Sequence, residues 1–147
     1  MKQEFSYEFG RLITRLTRRR KRFMTAHLAD KGLGGALYLY LMAVNRNPGA
    51  SQDFLVGYFC ADKGNVARAV KKLEEEGYLR REPDQTDRRQ NCIFLTEKGE
   101  EALKEVFAHL LEWNKLLTKG FSDEELEIAH ELISRMEQNV TDALEGK

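Results

Sequence analysis

Cysteine is scarce in this 147-residue chain, and Cys60 and Cys92 lack the number and the CxxC spacing of a disulfide scaffold or a metal motif. A reducing compartment is therefore the expected environment. Long apolar runs are also missing, because no stretch approaches the roughly 20 residues that span a bilayer. The acidic and aromatic N-terminus through Phe9 lacks the apolar core of a signal peptide. We expect a soluble, cytoplasmic protein with no membrane partner.

Catalytic signatures are missing as well. The chain contains no phosphate-binding glycine loop, no GxSxG, no HExxH and no paired carboxylates in an apolar setting. His27, His109 and His130 are scattered along the chain and do not predict a metal site. We therefore expect neither an enzyme nor a protein that needs a metal or another cofactor.

Net charge is zero, but the charges are unevenly distributed. Residues 1–100 contain 19 Lys and Arg against 13 Asp and Glu, whereas residues 101–147 contain 5 against 11. This division fits a basic working surface followed by an acidic helical region that stays clear of a polyanion. The length and the 41% of hydrophobic residues fit one domain with one core.

Apolar spacing and capping residues predict a mainly helical chain. Ser51 and Asp62 each have the right position to cap a short helix, and Ser122 with Glu125 forms a capping box before the last one. The helices expected from these signals cover about residues 3–29, 36–45, 52–59, 63–76, 96–119 and 123 to nearly the C-terminus.

The two short helices capped by Ser51 and Asp62 are separated by only a few residues, which is the outline of a helix-turn-helix. Residues 78–81 and 92–95 are then predicted as two strands of a β-hairpin. The segment between them is polar and contains Pro83, so we expect a long, charged tip. The fold class is α+β, a winged helix-turn-helix.

The helix after Asp62 is predicted to have an apolar face and a cationic face. The apolar face carries Val66, Ala69, Val70 and Leu73, and the opposite face carries Gly64, Arg68, Lys71 and Lys72. Lys63 and Asn65 lie in the first turn, which a recognition helix presents to base edges. Arg68 can pair with guanine and Asn65 with adenine, whereas Lys71 and Lys72 suit phosphates.

Two further segments are candidate DNA contacts. Ser51 and Gln52 begin the preceding helix, where free amides and the helix dipole favour a phosphate. Arg88 and Arg89 lie on the hairpin tip, from which an arginine can enter a narrow minor groove. Both features have an ordinary alternative, because charged loops are usually just solvated, and lysines four residues before glutamates, as Lys71 is before Glu75, often form surface pairs.

Short motifs follow one another along the middle of the chain in a specific order. They are Gly32-Leu33, Asn47-Pro48-Gly49, Ser51-Gln52-Asp53-Phe54-Leu55, Asp62-Lys63-Gly64-Asn65-Val66-Ala67-Arg68, Leu73-Glu74-Glu75-Glu76-Gly77-Tyr78-Leu79-Arg80-Arg81, Asp87-Arg88-Arg89 and Leu95-Thr96-Glu97-Lys98-Gly99. Each motif is weak by itself. Together they resemble the MarR family of bacterial winged-helix regulators over about residues 32–99, and the flanking helices fit in number and placement.

The resemblance implies a single MarR-like domain over residues 1–147. Within it, residues 33–98 would form the winged helix-turn-helix, and residues 1–31 and 99–147 the helices that hold an obligate homodimer. The implied function is sequence-specific binding to double-stranded DNA, as a repressor on a pseudo-palindromic operator that responds to a small-molecule effector.

The resemblance also implies roles for the wing. Asp87 would orient Arg89, which enters the minor groove, and Arg88 would contact a phosphate or the same groove. Gly64 departs from the family, which more often has a hydroxyl residue there, and this change removes a potential base or phosphate contact.

Several alternatives remain open at this point. A winged helix can bind only protein, and Cys60 or Cys92 could sense oxidants, although Cys92 alternates within a strand like a packed residue. Three amphipathic terminal helices have more apolar stripe than one small winged domain covers, which favours a dimer over an intramolecular bundle. Core packing is preferred over an effector pocket for each of the aromatic residues Tyr38, Tyr40, Phe107 and Trp113.

Overall fold

The structure is a computed structural model that describes residues 3–83 and 91–146. This part of the chain is mostly helical, with one antiparallel hairpin and a short 3-10 helix at Ala29–Lys31. The other elements, in chain order, are α1 (Gln3–Leu28), α2 (Leu37–Arg46), α3 (Gln52–Phe59), α4 (Lys63–Glu75), β1 (Leu79–Pro83), β2 (Asn91–Leu95), α5 (Glu97–Leu117) and α6 (Asp123–Glu145). The predicted order of helices and strands is confirmed.

The chain divides into two compact units, residues 1–111 and 112–147. The first unit has a core built from the end of α1, from α2 to α4, from the hairpin and from the start of α5. Its largest fully buried side chains are Met24, Leu28, Leu33, Leu41, Val44, Leu55, Val66, Val70, Leu73, Ile93 and Val106. Burial of these apolar side chains is the main force that holds the helix-turn-helix in place.

Helices α3 and α4 form the helix-turn-helix, and side-chain caps set the start of both. Ser51 Oγ accepts a hydrogen bond from the Phe54 amide at 3.1 Å, and Asp62 Oδ1 accepts one from the Asn65 amide at 2.9 Å. Between the two helices Cys60 adopts a left-handed conformation, with φ of 47°, which ends α3 and lets the chain reverse. The two predicted caps are therefore confirmed.

The hairpin pairs Leu79 with Leu95 at one end and Pro83 with Asn91 at the other. Pro83 is thus the last residue of β1, whereas the sequence placed it in the turn; a proline is tolerated at a strand end because little pairing follows it. Ile93 in β2 also exchanges two backbone hydrogen bonds with the turn before α3, at 2.9 Å to the Gly49 amide and 3.0 Å to the Ala50 carbonyl. These bonds attach the wing to the helix-turn-helix.

In the second unit, α6 begins with the predicted capping box, in which Ser122 and Glu125 each accept a bond from the other's backbone amide at 3.2 and 2.8 Å. Along α6 the structure records no buried residue, and most of its large apolar side chains are exposed. The large ones that are exposed are Ile128, Leu132, Ile133, Met136, Val140 and Leu144.

The preference for core packing is confirmed for Tyr38 and Tyr40 and is wrong for Phe107, whereas Trp113 is half-buried. Tyr38 and Tyr40 are buried at 3% and 8% exposure, but Phe107 is 47% exposed, because α5 turns Leu103 and Val106 into the core instead. Within the described residues, none of the helices combines the length and the apolarity that crossing a bilayer requires.

Candidate DNA-binding surface

Helix α4 has the two faces that its sequence predicts. Val66, Val70 and Leu73 are buried, and the residues predicted to face outward, Lys63, Gly64, Asn65, Arg68, Lys71 and Lys72, are all exposed. The apolar face anchors the helix on the core, and the outer face is left to polar and cationic groups. Whatever binds this side of the domain meets those groups first.

The lysines of α4 differ in their surroundings. Lys63 Nζ lies 2.9 Å from Asp53 Oδ1 of α3, and Lys71 Nζ lies 3.7 Å from Glu75 Oε1. Lys72 makes no ion pair with any other described residue. All three side chains are exposed, so these surface pairs are weak and salt-sensitive, and a phosphate can replace the carboxylate.

A chain of side-chain hydrogen bonds covers the first two turns of α4. The Asn65 amide nitrogen donates to Asp62, and a guanidinium nitrogen of Arg68 donates to the Asn65 amide oxygen. Sequence reasoning found Asp62 only as a cap and missed its contact with the Asn65 side chain. The signal for this contact is the spacing of three residues from Asp62 to Asn65 and again from Asn65 to Arg68, because side chains three apart are neighbours on a helix.

At the start of α3, the Ser51 hydroxyl is used as the helix cap, and Ser51 and Gln52 are both partly exposed. The Ser51 hydroxyl hydrogen is still available as a donor, since its oxygen acts only as acceptor in the cap. Both residues therefore keep the accessibility that a phosphate contact requires.

The wing is described at its base only, because Asp87, Arg88 and Arg89 lie outside the described residues. At the base, Arg81 of β1 forms an ion pair with Glu74 of α4, with 3.0 Å between Nε and Oε2. Arg80 stacks its guanidinium 4.9 Å from the ring centre of Phe94 and pairs with Glu82. The Arg81 pair connects the hairpin directly to α4, a contact that sequence reasoning did not find.

The histidines are less scattered than the sequence suggested. His27 and His109 lie side by side with ring centres 4.8 Å apart, although 82 positions separate them in the chain. His27 Nδ1 lies 2.9 Å from the Phe23 carbonyl oxygen, which can only accept a hydrogen bond. No local spacing in the sequence could show this contact.

Neither Cys60 nor Cys92 forms a disulfide bond. Cys60 is exposed in the turn between α3 and α4, with its Sγ 3.6 Å from the Gly57 carbonyl oxygen, and Cys92 is half-buried in β2 opposite Glu82. The predicted packing of Cys92 thus fits its place in the strand.

Comparison with known proteins agrees with this architecture. The MarR family profile matches residues 36–90. The chain is 32% identical to the uncharacterized HTH-type transcriptional regulator YybA of Bacillus subtilis over 76% of this chain and 74% of that protein. It is also 32% identical to a MarR transcriptional regulator from Methanosarcina mazei Go1, whose crystal structure superposes with a TM-score of 0.83 over 92% of this chain and 98% of that one.

A further crystal structure shares the fold. It is a putative MarR family transcriptional regulator from Listeria monocytogenes complexed with a 26mer DNA, with a TM-score of 0.82, 22% identity, and coverage of 90% of this chain and 89% of that one.

The capped α3–α4 pair with its attached hairpin defines a winged helix-turn-helix protein. The family profile and the relatives at 32% identity identify the family within this class. The chain belongs to the MarR family of transcriptional regulators.

Proposed function

We propose that two copies of this chain bind a pseudo-palindromic operator, each inserting α4 into the major groove. The observation that carries the proposal is the outward face of α4, where Asn65, Arg68, Lys71 and Lys72 are exposed on a helix whose other face is anchored in the core. A duplex offers base edges to such a helix and phosphates to its flanking lysines. Lys63 and Gly64 occupy the first turn, and Ser51 and Gln52 supply phosphate contacts from α3.

The wing completes the proposed interface. Asp87 orients Arg89 for the minor groove, and Arg88 contacts a phosphate or the same groove. The Arg81–Glu74 ion pair supports this arrangement, because it holds the base of the hairpin against the recognition helix. A relative of the same fold, the Listeria monocytogenes protein, was crystallised with DNA.

A homodimer is supported by exposed apolar side chains on helices of both units. In α1, Tyr7, Leu12, Ile13 and Leu16 are between 44% and 77% exposed, and α6 presents the apolar set already described. Continuous apolar helix faces of this kind are costly in water and normally mark an interface. We propose that α1 and the C-terminal helices of two copies cover each other.

The proposed regulator is a non-enzymatic, soluble and cytoplasmic repressor that a small molecule releases from DNA. Release would follow if the ligand changed the spacing of the two recognition helices, because both must enter successive major grooves at once.

Selection of bound sequences from a random DNA pool tests the proposal. We expect one preferred site with two related half-sites about 10 base pairs apart, or a multiple of one helical turn. Arg68→Ala serves as the comparison variant, and we expect it to lose sequence preference at one base pair of each half-site. Failure of the wild-type protein to enrich any sequence would contradict DNA-specific binding and favour a winged helix that binds only protein.

A further inference from the structure

The hydrogen-bond chain on α4 fixes the orientation of the Asn65 amide. A carboxylate only accepts hydrogen bonds and the amide nitrogen only donates, so the contact with Asp62 sets which side of the amide carries nitrogen. The amide oxygen then faces Arg68, which donates to it. Asp62 also caps the helix through the Asn65 backbone amide at 2.9 Å, so one carboxylate holds both the backbone and the side chain of Asn65.

Gly64 has no side chain, and the Asp62 carboxylate and the Arg68 guanidinium lie in the space beside it. A β-carbon at position 64 would lie 3.1 Å from Asp62 Oδ1 and 3.4 Å from Arg68 Nη1. The guanidinium of Arg68 therefore lies back over the first turn, in the N-terminal direction that helical side chains favour. That turn is the part of a recognition helix that meets base edges.

We propose that Arg68 reads a base pair and that Asn65 is the positioning residue that holds Arg68, with Asp62 orienting Asn65 and Gly64 providing room. This inference rests on the proposed function and replaces the sequence-based role of Asn65 as a reader of adenine. A bidentate pair with adenine needs both amide atoms of Asn65 turned toward one base. Here each amide atom already makes one bond within the helix, and the bonds with Asp62 and Arg68 set the direction of the one N–H and the one oxygen lone pair that remain. Arg68 gives one N–H to Asn65 and retains others for the O6 and N7 of guanine.

The inference also assigns a role to the glycine that departs from the family pattern. A residue with a side chain at position 64 would compete for the space of the Asp62 carboxylate and the Arg68 guanidinium. Glycine at position 64 thus gives up the direct DNA contact of a hydroxyl residue, and in exchange Arg68 is better positioned.

The test compares base discrimination by the full-length protein and its variants Arg68→Ala, Asn65→Ala and Asp62→Ser. The probes are the operator selected by the wild-type protein and the same operator with each single base-pair substitution. Serine at position 62 keeps the helix cap, because its hydroxyl also accepts from the Asn65 amide, but it lacks the second oxygen that orients the side chain. Lys72→Ala is the control, and it should weaken all probes equally.

We expect Arg68→Ala to lose discrimination at one base pair of each half-site, where a specific contact is worth about 5- to 150-fold. In Asn65→Ala and Asp62→Ser, discrimination should fall about threefold or more at that same base pair and should be unchanged at the other base pairs, since Asn65 and Asp62 act through Arg68. If Asn65→Ala lost discrimination at a different base pair, Asn65 would read a base itself, and the inference would be overturned. Wild-type discrimination at every position in both variants would also overturn it.

Gly64→Ala gives a separate readout. Alanine favours the helix over glycine and offsets any strain that its β-carbon puts on the Asp62 cap, so the melting temperature should stay close to that of the wild type, while discrimination at the Arg68 base pair falls. Unchanged discrimination at that pair would contradict the role of Gly64. A wild-type protein that binds every probe equally would overturn the proposed function together with this inference, which separates that failure from the variant-specific ones.

Discussion

Gly99, in the first turn of α5, lies so close to Tyr78 that a β-carbon at position 99 would overlap the Tyr78 carbonyl oxygen. The same β-carbon would lie 3.2 Å from the Leu95 side chain. Thr96 strengthens this junction, because its hydroxyl donates to the Gly77 carbonyl at 2.6 Å and accepts from the Gly99 amide at 3.0 Å. The Leu95-to-Gly99 motif is thus the point where the wing, the end of α4 and the start of α5 are packed backbone to backbone.

Replacement of Gly99 should therefore destabilise the first unit. Gly99→Ala forces the α5 backbone away from a carbonyl that cannot move freely, and we expect a loss of about 1–3 kcal/mol, the range of overpacked sites. Chemical denaturation followed by circular dichroism measures it. Gly57→Ala, in α3, is the matched control, because nothing lies within 4 Å of a β-carbon there. Equal stability of the Gly99 variant and the wild type would contradict the close approach.

A charge on the apolar face of α6 should break the proposed dimer. Ile133 is 65% exposed, and Ile133→Glu would place a carboxylate in the proposed interface, where an unpaired charge is strongly unfavourable. Light scattering should give about twice the 17.0 kDa chain mass for the wild type and a lower mass for the variant. Ser134→Glu adds the same charge on another side of the helix and should remain dimeric. A wild-type mass of one chain would rule out the dimer.

Lys72 should contribute to affinity without contributing to sequence preference. Its side chain is exposed on the outer face of α4, where a phosphate contact releases one counterion. We expect Lys72→Ala to weaken binding to all sequences alike and to lower the slope of log affinity against log salt by about one unit. Titrations at several salt concentrations measure the slope. A sequence-dependent loss would show that Lys72 reads bases instead.

The proposed wing contact predicts non-additive losses. Arg89→Ala should weaken operator binding by about 1–3 kcal/mol. If Asp87 acts only by orienting Arg89, then adding Asp87→Ala to Arg89→Ala should cause little further loss of binding free energy. A double-mutant cycle measured by gel shift compares the two single variants with the pair. Additive losses would mean that the two residues contact DNA independently.

The fold was largely predictable, because its signals are local. The caps at Ser51, Asp62 and Ser122 and the apolar spacing of α4 each depend on residues within one or two helical turns. The prediction that Pro83 lies in the turn is wrong because strand ends are set by pairing with a distant segment, here Asn91. The prediction that Phe107 packs in the core is wrong because a helical stripe of apolar residues does not show where the core ends.

The candidate site was predictable in its residues but not in its contacts. Helical periodicity places Asn65 and Arg68 on the outer face, yet it does not show that Asp62 orients one and that Gly64 makes room for the other. The Arg81–Glu74 ion pair and the His27–His109 contact join elements far apart in sequence. Such contacts depend on tertiary packing, which the local spacing of residues in a sequence does not show.

Methylation interference on the selected operator tests the central claim, that α4 meets the major groove through Arg68. Methylation of guanine N7 blocks the atom to which an arginine donates in that groove. The account predicts one sensitive guanine in each half-site for the wild-type protein, and loss of that sensitivity in Arg68→Ala. Interference at the same guanines in both proteins, or at none in the wild type, would contradict it.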